Sequence, residues 1–503
     1  MWYQHLSWWV WVLIALAVIA LVSTVIDVFQ KKHSVMRTIP FFGRFRYLFE
    51  KLGPPLRQYI VTSDLTERPF TRLQRSWVYR AAKKLSNTVP FGTQLDQDAP
   101  GLIKFNPAAF PTPDLHASDD MDPVVLGPNR AKPYAVKYIA NISGMSFGAL
   151  SRNAVTALSR GAKLAGGYMS TGEGSVSPYH LDGGGDIFYQ VGPGKFGCRN
   201  PDGTFSEEAF RAVATKDQIK CVYIKLAQGA KPGKGGVLPK EKVTAEISAI
   251  RGIPMGQDCH SPNCHAEFND VAGLMRFVNK LRDLSGGKPT GFKCVLGGEE
   301  FIREVGQYIA AHDDGPDFII IDGAEGGTGA APLSLADHMG ISLQEALALA
   351  DNLLRETGAR EKVKIIGSGR IVSGAEACIA LGLGADLCHI ARGFMFALGC
   401  IQALQCNTNH CPTGVATQHW WLQRGLDPTD KSVRVANYMK AVHHDVMMIV
   451  RALGLKHPNE ITRKHMSMIV EPGRRVALTE IYPTTMKAFR ETRIIRREPV
   501  STN

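Results

Sequence analysis

Cysteine is scarce in this chain, with ten in 503 residues at positions 198, 221, 259, 264, 294, 378, 388, 400, 406 and 411. That is too few to staple a protein of this length, so a disulfide scaffold is excluded and apolar burial must hold the core. A composition of 45% hydrophobic and 21% charged residues permits such a core and excludes a disordered chain. The sequence also lacks a basic helix, a finger-type Cys/His spacing and any Lys/Arg stretch interleaved with aromatics. Its net charge of +12 therefore does not mark a nucleic-acid partner. Much of that charge lies near the N-terminus, which directs attention to a membrane surface or to acidic ligands.

Charge itself is missing from Leu6 to Ile26. At about 1.5 Å per residue, a helix over this run matches a hydrocarbon core of about 30 Å. Trp2, Tyr3, Trp8, Trp9 and Trp11 gather at one end as an interfacial belt, and Lys31, Lys32, His33, Arg37, Arg44 and Arg46 follow the other. The positive-inside rule then predicts a single-pass protein of the inner cell membrane with its main domain in the cytoplasm. A cleaved signal peptide is the competing reading; the absence of Lys and Arg before the run, and the run's length, oppose it. From Gln30 to about Phe105, Arg57, Arg72, Arg75, Arg80, Lys83 and Lys84 mix with Phe41, Phe42, Tyr47, Phe49, Trp77 and Tyr79. That mixture suits a collar on anionic membrane lipid, or amphipathic helices covering the next domain, and the two are compatible. The expected division is an anchor (1–30), a juxtamembrane helical segment (31–105), a main domain (106–460) and a C-terminal extension (461–503).

Glycine, by contrast, is abundant: 50 residues, clustered where short apolar runs end and the backbone must bend or approach a ligand. Beyond Lys132, β-branched runs alternate with helical patterns. Strands are expected at Tyr134–Ile142, Gly167–Ser170, Cys221–Leu226, Ile253–Asp258, Thr290–Leu296, Asp317–Ile321, Lys362–Ile366 and Asp386–Ile390. Eight such units predict an α/β protein with a (β/α)8 TIM barrel, its chemistry in the loops after the strands. Two motifs are set aside. Gly192-Pro193-Gly194-Lys195-Phe196-Gly197 spells a dinucleotide fingerprint, but Arg199-Asn200-Pro201-Asp202-Gly203 stands where its helix should begin. Cys259-His260 with Cys264-His265 fits no standard zinc spacing. Cys400, Cys406 and Cys411 are different: the spacing C-x5-C-x4-C, closed by Pro412, supplies three soft thiolates in one loop. Three local thiolates suit a three-iron cluster or an incomplete cubane, while zinc and simple buried thiols stay open on spacing alone.

Several stretches together resemble one family. Ser143-Gly144-Met145-Ser146-Phe147-Gly148-Ala149-Leu150-Ser151-Arg152 resembles the opening motif of the FMN-binding synthase domain of glutamate synthases. Ser170–Gly174, Ile224–Gly233 and Asp322–Ala330 are similar to its later signatures in the same order, and Gly399–Thr417 is similar to its [3Fe-4S] loop. The likeness runs from about Asn141 to Leu455. It departs from the family at both ends: Trp2 stands where an amidotransferase nucleophile would be cysteine, and little chain follows Leu455 for a β-helix. Neither glutamine-derived ammonia nor NADPH bound on this chain is therefore implied.

The resemblance implies FMN, a [3Fe-4S] cluster on Cys400, Cys406 and Cys411, and reduction of a 2-imino acid, as when 2-oxoglutarate and ammonia become glutamate. Electrons would come from an external donor such as ferredoxin or a reductase. Ser143, Gly144, Met145, Ser146, Gln228, Lys293, Gly323, Gly326 and Gly327 are expected around the flavin. Its phosphate is expected against Gly367, Ser368, Gly369, Arg370, Ala391, Arg392 and Gly393, although Arg392 also reads as a solvated arginine. Lys225 and Lys293 interrupt apolar runs and are expected to meet anions near the ring; snorkelling out of the barrel is the alternative. Glu173, in a glycine-rich loop, is the candidate for proton transfer or for gripping an imine. Gln228 and Ser146 either orient flavin and substrate or merely cap turns. The other readings are a membrane-associated FMN and iron–sulfur enzyme exchanging electrons with ferredoxin or quinone on another substrate, and a non-catalytic scaffold. Glu173, Lys293 and the cysteine triplet together argue against the scaffold. An oligomer is left open.

Overall fold

The computed structural model describes residues 7–113 and 118–495, which form two compact units, one up to Leu73 and one from Gln74. In the first, the helix Trp8–Phe29 is long and apolar enough to cross a membrane by length and composition. Nearly all of its side chains are exposed, but Asp27 is buried: Arg44 Nε lies 2.8 Å from its carboxylate and the amide of Phe41 donates to it at 3.0 Å. This pair folds the helix Gly43–Leu56 back toward the end of the first helix. Gly43 permits the return, since a Cβ there would lie 2.7 Å from the Val35 carbonyl oxygen. Trp2, Tyr3 and Leu6, assigned to the aromatic belt and the apolar run, lie outside the described residues.

In the second unit eight parallel strands close a barrel. They are numbered here β1 (Ala140–Ile142), β2 (Tyr168–Ser170), β3 (Asp186–Val191), β4 (Ile219–Lys225), β5 (Thr290–Cys294), β6 (Phe318–Asp322), β7 (Lys364–Ser368) and β8 (Leu387–Ile390). The expected TIM barrel is thus present, with two corrections in its strands. Ile253–Asp258 is turn and irregular chain rather than a strand, and the strand it displaced in the count is β3. Tyr134–Ile142 is two elements: Tyr134–Val136 pairs with Val124–Leu126 in a hairpin, and only Ala140–Ile142 joins the barrel.

That hairpin covers the N-terminal mouth. Tyr134 donates its hydroxyl to Asp186 at 3.0 Å and sets its ring edge-on to Tyr168 and Phe188. Further in, the rings of Tyr168 and Phe188 stack at 3.7 Å, with Phe318 and His389 reaching the same cluster from β6 and β8. Rings from β2, β3, β6 and β8 can meet only across the interior, so the barrel is plugged below and open to chemistry above. His389 accepts or donates a 2.8 Å bond with the Tyr168 hydroxyl, and burial pushes its pKa down to about 3, so it stays neutral.

The helical layer is built by ordinary signals. Ser151 caps the helix Arg152–Ala165, which Gly166 ends at φ +89°; Ser373 and Glu376 form a capping box. The long helix Pro428–Ala452 crosses Arg152–Ala165 at Gly161, where any Cβ would strike Val435. We expect Phe188→Ala, which empties the middle of the aromatic plug, to cost about 3–5 kcal/mol. Denaturant unfolding followed by circular dichroism checks this; a loss below about 1 kcal/mol would mean that the plug is not packed as described.

Candidate functional site

The C-terminal mouth is organised around two lysines on adjacent strands. Lys225 ends β4, Lys293 lies in β5, and the two are directly in register. Two ammonium groups so placed repel unless each is neutralised, and each is. Lys225 Nζ lies 3.0 Å from Glu173 Oε1, and Lys293 Nζ lies 3.1 Å from Asp322 Oδ2, at the end of β6. Asp322 also accepts the amide of Gly229 at 2.8 Å, tying the loop after β4 to β6. Both lysines are held within the mouth, with side chains only 7% and 12% exposed, so neither snorkels.

Glu173 reaches Lys225 through space that glycine leaves. A Cβ on Gly192 would lie 2.9 Å from Glu173, and one on Gly236 would collide with its Oε1. Gly192, the first glycine of the fingerprint-like run after β3, and Gly236 thus make room for a carboxylate. Burial pushes the Glu173 carboxyl up, but Lys225, with Lys231 and Arg251, outweighs this and holds it below the usual range, hence ionised. Its second oxygen, Oε2, is buried without a hydrogen-bond partner. An ionised Glu173 can accept a proton or grip a cation; it is not a resting acid.

Lys231 and Arg251 were not singled out by the sequence. Lys231 is buried, donates to the Ala330 carbonyl at 3.0 Å, and is pushed down to about 8 by burial, with Lys225 nearby. Arg251 ends the short helix Ala245–Arg251, stacks over the Phe196 ring at 5.3 Å and donates to the Phe147 carbonyl at 3.0 Å. It is buried, its Nε has no partner, and among the described residues it makes no ion pair. Lys231 lies inside the motif Ile224–Gly233, whereas Arg251 carries no local signal.

Behind these groups runs a polar floor. Ser170 and Tyr223 share a 2.7 Å hydroxyl contact, and Tyr223 donates to Gln190 Oε1 at 2.6 Å. Gly144 lies flat on this network, because a Cβ there would sit 2.7 Å from Gln190 Oε1 and 2.8 Å from the Tyr223 hydroxyl. Ser143 and Met145 are buried beside it, and the Ser146 hydroxyl accepts from Arg251 at 3.4 Å. Gln228 is half-buried, and its carbonyl accepts the Lys231 amide at 3.0 Å.

The loops after β6, β7 and β8 converge on the opposite side. Gly323 donates to the Ser368 carbonyl at 2.8 Å, Gly369 and Arg370 both have positive φ, and Arg392 donates to the Glu325 carbonyl at 2.6 Å. Arg392 lies over Gly327, where a Cβ would be 2.6 Å from its Nε, and burial pushes it down to about 10. It is no solvated arginine. Gly326 turns back on the Gly323 carbonyl at 2.9 Å. At two positions expected near the phosphate a Cβ would meet packed side chains: Leu347 and Ala385 at Gly367, and the Tyr438 hydroxyl at Gly393. Ala391 is the residue before the helix Arg392–Leu398.

The cysteine loop is sharply folded. Gly399, Gln402, Leu404, Asn409 and Gly414 all have positive φ, an unusual density for chain that is mostly not glycine. The amide of Gln402 points at Cys400 Sγ at 3.4 Å, and Thr413 Oγ1 lies 3.4 Å from Cys411 Sγ. Burial pushes the Cys400 thiol up to about 12, and Cys406 and Cys411 add to that rise, so the three sulfurs lie within one another's electrostatic reach. Among the described residues no three His, Cys, Asp or Glu side chains converge on a single ion. The earlier Cys/His quartet is dispersed: Cys259 contacts Arg251 at 3.8 Å, Cys264 is exposed, and His265 bonds the Lys225 carbonyl at 3.0 Å.

The pattern described as the conserved region in glutamate synthase matches residues 106–456. The chain is 40% identical over 482 residues to the glutamate synthase large subunit-like protein YerD of Bacillus subtilis (strain 168), covering 88% of this chain and 91% of that one. It is 38% identical over 314 residues to the archaeal glutamate synthase (NADPH) of Methanocaldococcus jannaschii, covering 62% of this chain and 58% of that protein. The archaeal-type glutamate synthase (NADPH) of Thermotoga sp. (strain RQ2) is 35% identical over 315 residues, covering 62% and 59%. The chain thus spans a little over half the length of the last two.

A glutamate whose folded pKa lies below its unfolded value of about 4.3 contributes stability that is fully present above that value and is lost as pH falls through the folded pKa. Glu173→Gln should therefore destabilise at pH 7, by up to about 3–5 kcal/mol through unpairing buried Lys225, and should weaken the acid-side decline of Tm. Thermal melts from pH 7 to pH 3 check this; an unchanged acid profile contradicts it.

Proposed function

Because this chain belongs to the glutamate synthase family and, with it, to the oxidoreductases acting on CH–NH2 donors, we propose that it reduces a 2-imino acid, converting 2-oxoglutarate and ammonia to glutamate with electrons from an external donor such as ferredoxin. The observation that carries this reading is the charge pattern around Glu173. Buried cations, Lys225, Lys231 and Arg251, surround one ionised carboxylate that has an oxygen to spare. A 2-imino dicarboxylate is the complementary shape in charge: two carboxylates for Arg251 and Lys231, and a nitrogen whose N–H needs the free lone pairs of Glu173 Oε2.

The residues fit the two groups the family implies. FMN would lie between the Gly144 floor and the Lys225/Lys293 pair, with its phosphate toward Ser368, Gly369, Arg370 and Arg392. When bound, FMN supplies two-electron chemistry and a [3Fe-4S] cluster supplies single electrons. Cys400, Cys406 and Cys411 would hold the cluster as three soft thiolates of one loop, whose positive-φ residues Gln402, Leu404 and Asn409 fold the chain tightly between them. Lys293, held by Asp322, would supply positive charge beside the flavin. Lys225 fixes Glu173 Oε1, so that Oε2 alone faces substrate. Arg251, stacked on Phe196, orients one carboxylate, and the buried loops exclude water.

We further infer that the helix Trp8–Phe29 anchors the chain in the inner membrane with the barrel on the cytoplasmic side. Its outward apolar surface and the Lys31, Lys32 and Arg37 that follow it support this orientation.

Anaerobically purified, detergent-extracted protein should contain flavin, iron and sulfide, and should reoxidise its flavin with 2-oxoglutarate and ammonium, forming glutamate when reduced ferredoxin is supplied. Protein that holds both cofactors yet forms no glutamate would sink the substrate assignment. Arg251→Met should raise KM for 2-oxoglutarate at least about tenfold, the cost of one charge-assisted contact, while leaving flavin content unchanged. Deleting residues 1–30 should release a soluble, coloured protein; one still sedimenting with membranes would show that the helix is not the anchor.

A further inference from the structure

Lys242 lies apart from the site just described, in the 3-10 turn Lys240–Lys242 of the long β4–β5 connection, and it is 2% exposed. Its ammonium donates to three carbonyls, Cys406 at 2.7 Å, Ala416 at 2.8 Å and Ala149 at 3.2 Å. Three acceptors use all three N–H donors of a protonated lysine, one more than a neutral amine has. Among the described residues it makes no ion pair with a carboxylate. A buried cation in that position is costly unless an anion lies near, and the residue that its ammonium touches at the shortest distance is Cys406, one of the three cysteines of the loop. The same turn is linked to the cysteine loop a second time, through Asn409 Nδ2 to the Glu241 carbonyl at 3.0 Å.

We propose that Lys242 is the built-in counter-charge of the cysteine loop: it fastens the Cys406 backbone to the barrel and favours the reduced cluster, which carries one more negative charge than the oxidised one. This rests on the cluster reading given above. Lys242 is a positioning residue, touching the loop's carbonyls rather than substrate or flavin. Zinc or plain thiols would leave its charge without a redox consequence, which separates the proposal from a merely structural role.

The test uses full-length protein in detergent, as the parent, Lys242→Met and Lys242→Arg. Iron and acid-labile sulfide are measured per chain, and the cluster's midpoint potential is read by EPR-monitored redox titration. Lys242→Met with its iron retained should show a one-electron equilibrium shifted at least tenfold toward the oxidised state, about 59 mV lower in potential. If Lys242→Met instead loses its iron, Lys242→Arg, which keeps the charge, should recover it. Iron and potential both unchanged in Lys242→Met overturn the proposal. So does equal loss of iron from both variants in folded protein, which would make size rather than charge decisive. A parent protein without iron overturns the cluster reading itself and this proposal with it, and that failure is visible before any variant is made.

Discussion

Everything at the mouth of this barrel follows from placing two lysines side by side. Neighbouring strands run about 4.8 Å apart, and at an effective dielectric of about 20 two unit charges at 5 Å repel by about 3 kcal/mol. Lys225 and Lys293 are in register on such strands, so each needs its own carboxylate, and the two come from different directions: Glu173 from the loop after β2, Asp322 from the end of β6. Those ion pairs do mechanical work. Glu173 can reach inward only past Gly192 and Gly236, and Asp322 fixes the Gly229 amide. The two ion pairs thus tie together the loops after β2, β4 and β6, and Gly192 and Gly236 leave the space that Glu173 needs.

The architecture was legible because apolar runs of strand length recur with helical segments between them. Lys225 and Lys293 were legible as charges inside such runs. The misplaced strand has a physical cause: Ile253–Asp258 contains Pro254 and Gly256, which a central strand does not tolerate, while Asp186–Val191 is apolar and aromatic but follows three glycines that read as loop. The fingerprint-like run is turn and irregular chain with no helix before Glu207. Its Gly192 matters through a close approach to Glu173 that no local pattern encodes. Gly367 and Gly393 illustrate the converse, glycines in the expected places whose missing side chains accommodate helices.

Arg251 shows most plainly where sequence reading ends. It closes a short helix in a motif-free stretch, and its meaning lies in being buried beside Glu173 with Phe196 beneath it and, among the described residues, no ion pair of its own. Family membership supplies the reaction class, but not which cations surround Glu173 or how a lone carboxylate is kept ionised among them. Those come from tertiary distances.

The surroundings of Glu173 and the cysteine loop are linked by hydrogen bonds through the segment Ser143–Arg152. From the Glu173 side, Arg251 holds the Phe147 carbonyl and the Ser146 hydroxyl. From the cysteine side, Lys242 holds the Ala149 carbonyl, Gln418 donates to the carbonyls of Gly148 and Leu150, and the Ser151 amide donates to Val415. Arg251 and Lys242 both belong to the β4–β5 connection, so a single excursion grips the segment at two points while the cysteine loop closes over it. A segment held by hydrogen bonds from both sides cannot shift toward one without straining the other. The fold of the cysteine loop is therefore tied to the position of Gly144 and Ser146, which lie beside the Tyr223–Gln190 network and Arg251.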